Sequence, residues 1–106
     1  MLNNRILWDD ITPFTFQLSQ NYPNPFRERT NIKYCVAYKT KVKIKVYDEN
    51  HNVIQKLVDE EKEPGTYEIE FNDERNHNSG SFEHEILFYI LEAGDYKCEK
   101  KMELIK

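Results

Sequence analysis

The sequence predicts an all-β protein, a sandwich of seven short strands in one domain. Several segments alternate apolar and polar residues, as strands with one buried face do. Turn-forming residues separate these segments at the short intervals typical of sandwiches. The 106 residues suffice for one core but not for a separate substrate domain. The strands are expected at about 14–18, 30–36, 41–47, 53–58, 66–71, 85–92 and 95–105.

Strict alternation justifies three of these strands. The segments NIKYCV, KVKIKVYD and TYEIEF place an apolar residue at every second position, so one face is buried and the other is wet. In KVKIKVYD the wet face consists of Lys41, Lys43 and Lys45. The residues expected to line the shared core are Ile44, Val46, Tyr67, Ile69, Phe71, Phe88 and Ile90.

The sixth segment, EILFYILE, is apolar at every position from Ile86 to Leu91. It is interpreted as a central strand covered on both faces, although periodicity alone fits a short buried helix equally well. Its aromatic and β-branched residues favour the strand. The chain closes with DYKCEKKMELIK, in which apolar residues occupy the even positions and Lys100 is the exception.

Composition argues against several classes of function. The net charge of −4 gives no excess of basic surface for a phosphate backbone, so nucleic acid is not an expected partner. No run approaches the roughly 18 to 20 apolar residues of a membrane-spanning helix, so membrane insertion is not expected. Residues 1–13 carry acids where a signal peptide has its apolar region. The chain is therefore expected to be soluble, and export would require a signal peptide that it does not itself contain.

No catalytic, cofactor-binding or metal-binding residues are predicted. His51, His77 and His84 lack the spacing of metal ligands and are interpreted as exposed turn residues. Neither Asp9-Asp10 nor Asp73-Glu74 is accompanied by a nucleophile or a pocket. Both pairs are therefore interpreted as solvated loop charges rather than acid–base catalysts.

The two cysteines leave two alternatives open. Cys35 and Cys98 either form a disulfide between the sheets, as suits an exported protein, or remain separate thiols. Cys35 lies on the face opposite Ile32 and Tyr34, whereas Cys98 shares the face of Tyr96, and separate thiols are therefore favoured.

A proline-rich block precedes the second strand. In QNYPNPF, Pro23 and Pro25 lie between Tyr22 and Phe26 and restrict both their own φ angles and the residues before them. The block is expected to be a stiff, ordered corner between two strands. At least one of the two aromatic side chains should pack against the core and close its open end.

Five segments in order carry a family resemblance: FQLSQNYPNPFRERTNIKY, VKIKVYDENHNVIQKLVD, EPGTYEIEF, FYILEAG and KKMELIK. Together they resemble the C-terminal sorting domain of the type IX (Por) secretion system of Bacteroidetes. A related immunoglobulin-like module of flagellar hook-capping proteins and modular surface proteins shares the YPNPF opening. The resemblance covers residues 14–106, and residues 1–13 are then a linker or N-terminal extension. Trp8 either packs on the sandwich or belongs to that linker.

The resemblance implies a seven-stranded immunoglobulin-like domain that serves as an address and catalyses nothing. In the family, a cargo protein precedes the domain, a separate signal peptide exports both to the periplasm, and the outer-membrane translocon recognises the domain. A surface sortase then usually removes it, and the cargo reaches the cell surface or the medium. A monomer without cofactors is expected. The residues assigned to translocon recognition are Lys100, Lys101, Met102, Leu104 and Lys106. The residues assigned to the structural motif are Tyr22, Pro23, Asn24, Pro25, Phe26, Pro64, Gly65 and Gly94.

Two departures from the family pattern accompany the resemblance. His51 occupies a turn position where the family usually has glycine at positive φ, which histidine tolerates. Extra residues in SGSFEHEILFYIL predict either a longer loop or a longer strand before residue 88. The alternative function is a non-catalytic immunoglobulin-like spacer in a larger surface or flagellar-hook-associated protein.

Overall fold

A computed structural model describes residues 15–75 and 84–105, and these residues form seven β-strands and no helix. The predicted all-β class and number of strands are confirmed. The strands are β1 (Gln17–Leu18), β2 (Arg29–Val36), β3 (Thr40–Tyr47), β4 (Val53–Lys62), β5 (Gly65–Asn72), β6 (His84–Ala93) and β7 (Tyr96–Ile105). β4 extends four residues beyond its predicted end, and β6 begins one residue before and ends one residue after its predicted bounds. Residues 76–83, which precede β6, lie outside the described residues, so the choice between a longer loop and a longer strand stays a prediction.

The strands are divided between two antiparallel sheets. One sheet has the order β1-β2-β5, and the other has the order β4-β3-β6-β7. The two sheets share one core of apolar side chains. Its fully buried members include Ile32, Val36, Val42, Ile44, Val46, Phe71, Leu87, Tyr89, Leu91, Met102 and Leu104. The two sheets therefore form a β-sandwich with β1 and β7 at neighbouring edges.

The predicted core is confirmed for β3 and β5 but not for β6. Ile44, Val46 and Phe71 are fully buried, and Tyr67 and Ile69 pack against the cluster while partly exposed.

The prediction that Phe88 and Ile90 line the core is wrong, because Leu87, Tyr89 and Leu91 occupy it instead. Because β6 is apolar at every central position, its own pattern does not identify the inner face. The inner face of β6 is identified by its pairing with β3. Leu91 lies opposite the buried Ile44, and directly paired residues of an antiparallel sheet share a face.

The turn between β3 and β4 is organised by one carboxylate. The backbone amides of Asn50 and Asn52 donate to Asp48 Oδ1 at 2.8 and 2.9 Å, and the Asn52 side chain donates to Oδ2. These bonds, chiefly those from Asn52, lower the pKa of the Asp48 carboxyl. His51 has a φ of 69°, so the expectation of a positive φ at this position is confirmed.

Replacing His51 with glycine is expected to stabilise the protein by up to about 1 kcal/mol, because glycine adopts this left-handed conformation without a steric cost. Urea denaturation of the two proteins would measure the difference. Asn50→Gly is the matched control, since Asn50 has a negative φ. At position 50, glycine should only lower the stability through its entropic cost. An equal gain in stability at both positions would contradict relief of the positive φ at position 51 as the cause.

Candidate functional site

The proline block, Gln20–Phe26, crosses from the edge of one sheet to the edge of the other. It begins as a continuation of β1, because Tyr22 and Asn31 exchange two backbone hydrogen bonds of 2.9 and 3.0 Å. Four residues later, Phe26 pairs in parallel with Leu104 of β7. The block therefore joins the two neighbouring sandwich edges, and both of its X-Pro bonds are cis.

A small buried polar cluster holds the block in place. Asn21 and Thr30 are only 2% and 1% exposed. Asn21 Nδ2 donates to the carbonyl oxygen of Pro23 and to Thr30 Oγ1, both at 3.1 Å, and Thr30 Oγ1 donates to the same carbonyl at 2.8 Å. Buried polar groups are stable only when paired in this way, so the cluster fixes how the block leaves β1.

The block also covers part of the free edge of β7. Gln20 Nε2 donates to the carbonyl of Lys101 at 2.7 Å, and the amide of Glu103 donates to Asn24 Oδ1 at 3.0 Å. The Phe26 amide donates to the Glu103 carbonyl at 3.0 Å, and the Ile105 amide donates to the Phe26 carbonyl at 2.7 Å. Unpaired edge groups would otherwise be open to another strand. The block and the terminal strand, about eighty residues apart in the chain, form one structural unit.

A buried tyrosine connects β6 to the unit formed by the proline block and β7. The Tyr89 hydroxyl donates to the carbonyl oxygen of Ser19 at 2.6 Å. Burial raises the pKa of this phenol to about 12. Tyr89 thus anchors the segment that leads into the proline block.

The Tyr89→Phe variant is expected to be destabilised by about 1 to 2 kcal/mol, because the Ser19 carbonyl loses its donor. The neutral phenol contributes fully below the unfolded pKa of about 10, and this contribution is lost as the pH rises towards about 12. Wild-type stability, measured by urea denaturation, should therefore fall more steeply than that of the variant over this pH range. Tyr22→Phe, at a side chain that is 80% exposed, should match the wild type. Parallel pH profiles for wild type and Tyr89→Phe would contradict the assignment.

Beside this unit lies an accessible surface. Tyr22 is the most exposed of the large apolar residues described, and it lines a groove of about 350 Å³ with Ser19, Gln20, Asn31, Lys33 and Glu68. Gln20 also reaches the backbone of Lys101, whose side chain is exposed. We call Tyr22, Gln20 and Lys101, with the half-buried Lys100, the junction surface. Its members come from two motifs of the sequence that meet where Gln20 binds the Lys101 backbone. Tyr22 lies on the side of Asn31 and Lys33, whereas Lys101 lies opposite Phe88 of the other sheet.

The residues assigned to translocon recognition are not equally accessible. Met102 and Leu104 are each 1% exposed and belong to the core, as their even positions predicted. Lys101 is exposed, and Lys100 is half-buried. Lys106 lies outside the described residues. In the folded domain, direct contact with a partner is therefore left to Lys100 and Lys101 among the described members of this set.

The remaining motif residues divide between the two ends of the sandwich. Phe26 is 2% exposed and packs edge-on against Phe71 at 5.9 Å, so the expectation that one aromatic of the block closes the core is confirmed. Pro64 lies in the turn between β4 and β5, and Gly65 is the first residue of β5. Gly94 has a φ of 58° and opens the two-residue hairpin between β6 and β7, where positive φ at the first position is typical of a type II′ turn. These turns lie at the opposite end from the junction surface.

The acidic and histidine side chains that were considered as catalytic or metal-binding candidates make contacts within the fold. Asp73 was interpreted as solvated, but its carboxylate is 3% exposed and accepts a bond from Arg75 at 2.9 Å, so that interpretation is wrong. Arg75 also binds Glu85 at 2.9 Å, which connects the end of β5 to the start of β6. His84 is bonded to Glu103 across β6 and β7. Asp9, Asp10 and His77 lie outside the described residues.

Cys35 and Cys98 are free thiols, and Cys35 Sγ lies 3.5 Å from Thr66 Oγ1 on the outer face. No group of three His, Cys, Asp or Glu side chains within residues 15–75 and 84–105 is placed to hold a metal ion. The described part of the chain also has no helix long and apolar enough to cross a membrane.

The hydrogen bonds that build this unit have no signature in the sequence. Thr30 and Tyr89 carry no local signal for their roles, because each donates to a backbone carbonyl that only folding brings near, and Asn21 depends in turn on the Thr30 side chain. The chain matches no family model, no curated protein and no solved structure.

Proposed function

We propose that this chain is a sorting domain of the type IX secretion system, an address that directs an attached cargo across the outer membrane. The observation that carries the proposal is the junction surface. The first and last segments of the family resemblance, QNYPNPF and KKMELIK, bond to each other, and each leaves one long side chain exposed, Tyr22 and Lys101. Such a surface suits a signal that must be read in the folded state.

An immunoglobulin-like topology is part of the proposal. Support comes from the strand order, in which β1, β2 and β5 face β3, β6 and β7 across one core. This is the partition of strands A, B and E against C, F and G in immunoglobulin constant domains. The fourth strand differs, because β4 pairs with β3 rather than with the β1-β2-β5 sheet.

Recognition is proposed to use an aromatic side chain and a positive charge together. Tyr22 is 80% exposed beside a groove, and an exposed tyrosine supplies contact area with little loss of conformational freedom. Lys100 and Lys101 would attract an acidic surface of the translocon, where charge complementarity mainly sets specificity and the rate of encounter. The domain would travel with its cargo through the periplasm to the cell surface, where a sortase removes it.

The test is a fusion of residues 14–106 behind a signal peptide and a fluorescent cargo, in a bacterium that has the type IX machinery. We expect fluorescence at the cell surface or in the medium. Tyr22→Ala combined with Lys100→Gln and Lys101→Gln should reduce export several-fold and leave the domain folded. Lys39→Gln with Lys56→Gln is the matched control, since both lysines are exposed, Lys39 precedes β3, and Lys56 lies on β4 at the opposite edge of the sheet from β7.

Two results would count against the proposal. If the intact fusion stays in the periplasm of a host that exports its own sorting-domain proteins, the chain is better described as a structural spacer. If the intact fusion is exported and the junction variant is exported equally well, recognition lies elsewhere on the domain.

A further inference from the structure

A groove crosses the outer face of the three-stranded sheet beside Tyr22. Its lining comes from three neighbouring segments of the chain, namely Ser19, Gln20 and Tyr22 after β1, Asn31 and Lys33 on β2, and Glu68 on β5. Tyr22 pairs with Asn31, and Lys33 lies opposite Glu68, so β2 lies in the middle of the groove. The volume of about 350 Å³ lies within the range of about 300 to 1,000 Å³ that is usual for small-molecule sites.

The aromatic side of the groove is held by its backbone and not by packing of the ring. Tyr22 exchanges two backbone hydrogen bonds with Asn31, and the proline that follows restricts its conformation. The ring is 80% exposed and makes no contact with another aromatic ring of residues 15–75 and 84–105. A ring mounted in this way can pack against a ligand without first giving up a contact within the fold.

Three polar side chains of the groove are also without partners in the described part of the chain. Lys33, Glu68 and Asn31 are exposed, and none of their side chains makes a hydrogen bond or an ion pair there, although Lys33 and Glu68 lie opposite each other. Glu70, the next glutamate along β5, differs because Arg29 lies 3.9 Å from it in an ion pair. The groove therefore offers a ligand one ammonium group, one carboxylate and one amide.

These groups select a neutral ligand that has many hydrogen-bonding atoms. The charges of Lys33 and Glu68 cancel, so an anion would meet the carboxylate and a cation would meet the ammonium group. An apolar ligand would desolvate both charges without replacing their hydrogen bonds to water. A neutral ligand that both donates and accepts hydrogen bonds pairs with each of them.

A peptide strand is a poorer occupant, because the groove contains no open edge of β2. The backbone of β2 is bonded on one side by Ser19 and Tyr22 and on the other side by β5. A peptide therefore cannot add to the sheet at β2, and side chains alone contact the ligand there.

A sugar has the chemistry that this groove requires. Each hydroxyl both donates and accepts hydrogen bonds, so neighbouring hydroxyls can donate to the Glu68 carboxylate and accept from Lys33 and Asn31. The C–H groups on one face of a sugar ring form an apolar surface, and they pack against the negatively polarised face of an aromatic ring such as that of Tyr22.

We propose that the groove binds a neutral sugar, with the sugar ring against Tyr22 and its hydroxyls bonded to Asn31, Lys33 and Glu68. The site shares Tyr22 and Gln20 with the junction surface but neither of its lysines. Sugar binding is a property of the isolated chain, so it does not depend on export.

NMR titration of the isotope-labelled full chain tests this. The probes are the methyl glycosides of glucose, galactose and mannose, together with maltose, cellobiose and lactose. We expect at least one of these neutral sugars to shift the amide signals of Asn31, Lys33 and Glu68, with a Kd in the millimolar range. Glucuronic acid and glucosamine, which carry opposite charges, should bind several-fold more weakly than the neutral sugar.

Substitutions then assign the binding to the groove. Tyr22→Ala should weaken it about tenfold, whereas Tyr22→Phe keeps the ring and should retain most of it. Lys33→Gln and Glu68→Gln should each weaken it several-fold. Lys101→Gln is the matched control, because it removes the same charge as Lys33→Gln from an exposed lysine outside the groove, and it should change nothing. The amide spectrum of each variant shows whether it is folded.

Three results would overturn the proposal. Spectra that no neutral sugar of the panel changes would show that the groove is not a sugar site. Equal affinities of the wild type, Tyr22→Ala and Glu68→Gln would place a bound sugar on another surface. Tighter binding of glucuronic acid or glucosamine would show that the groove selects a charged ligand. None of these results would bear on export, because Lys33 and Glu68 lie outside the residues proposed for translocon recognition.

Discussion

Removal of residues 102–106 is expected to leave the chain unfolded at room temperature. The deletion takes Met102 and Leu104, each 1% exposed, out of the core, and a large-to-small change at one such position typically costs about 2 to 5 kcal/mol. It also removes the last four rungs between β7 and β6 and the backbone partners of Phe26. A small domain has about 5 to 15 kcal/mol of stability in total, so these losses together exceed what it can tolerate.

Circular dichroism and the dispersion of amide NMR signals would measure the loss of structure. Lys100→Gln with Lys101→Gln is the folded control, because it removes charge from the same strand and leaves the core intact. The comparison matters for secretion assays: a terminal deletion abolishes folding and recognition together, whereas the lysine variant tests recognition alone. A truncated chain that kept a dispersed spectrum would contradict the role of β7 in the core.

Phe26→Ala is expected to destabilise the protein by about 3 to 5 kcal/mol. The ring is 2% exposed, packs edge-on against Phe71, and lies where the chain joins the two sheets. Urea denaturation would give the change in the free energy of unfolding.

Tyr22→Ala provides the comparison within the same motif. Its ring is 80% exposed and its backbone bonds to Asn31 survive the substitution, so its stability should change by less than about 0.5 kcal/mol. The proline block would then have one aromatic residue for folding and another available for recognition. Equal losses from both substitutions would show that the exposed tyrosine also stabilises the fold.

The alternation of apolar and polar residues was sufficient to identify β2, β3 and β5. A strand with one buried face has an apolar residue at every second position, and each segment shows this pattern by itself. Turn residues were equally local signals. His51 adopts positive φ and Gly94 opens a hairpin, as their residue types allow. In the candidate site, the sequence singled out Gln20–Phe26 and the terminal strand as two motifs, and it assigned Met102 and Leu104 correctly to the core side.

Two other features depended on the folded chain. The inner face of β6 has no local signature, because Ile86 to Leu91 are all apolar; it is set by the register that places Leu91 opposite Ile44. The contact of the proline block with β7 joins residues about eighty positions apart, and on the β7 side every partner is a backbone amide or carbonyl, groups that nearly every residue type offers alike. Short-range patterns report which face of a segment is apolar. Which segments meet depends on how the sheets pack around one shared core.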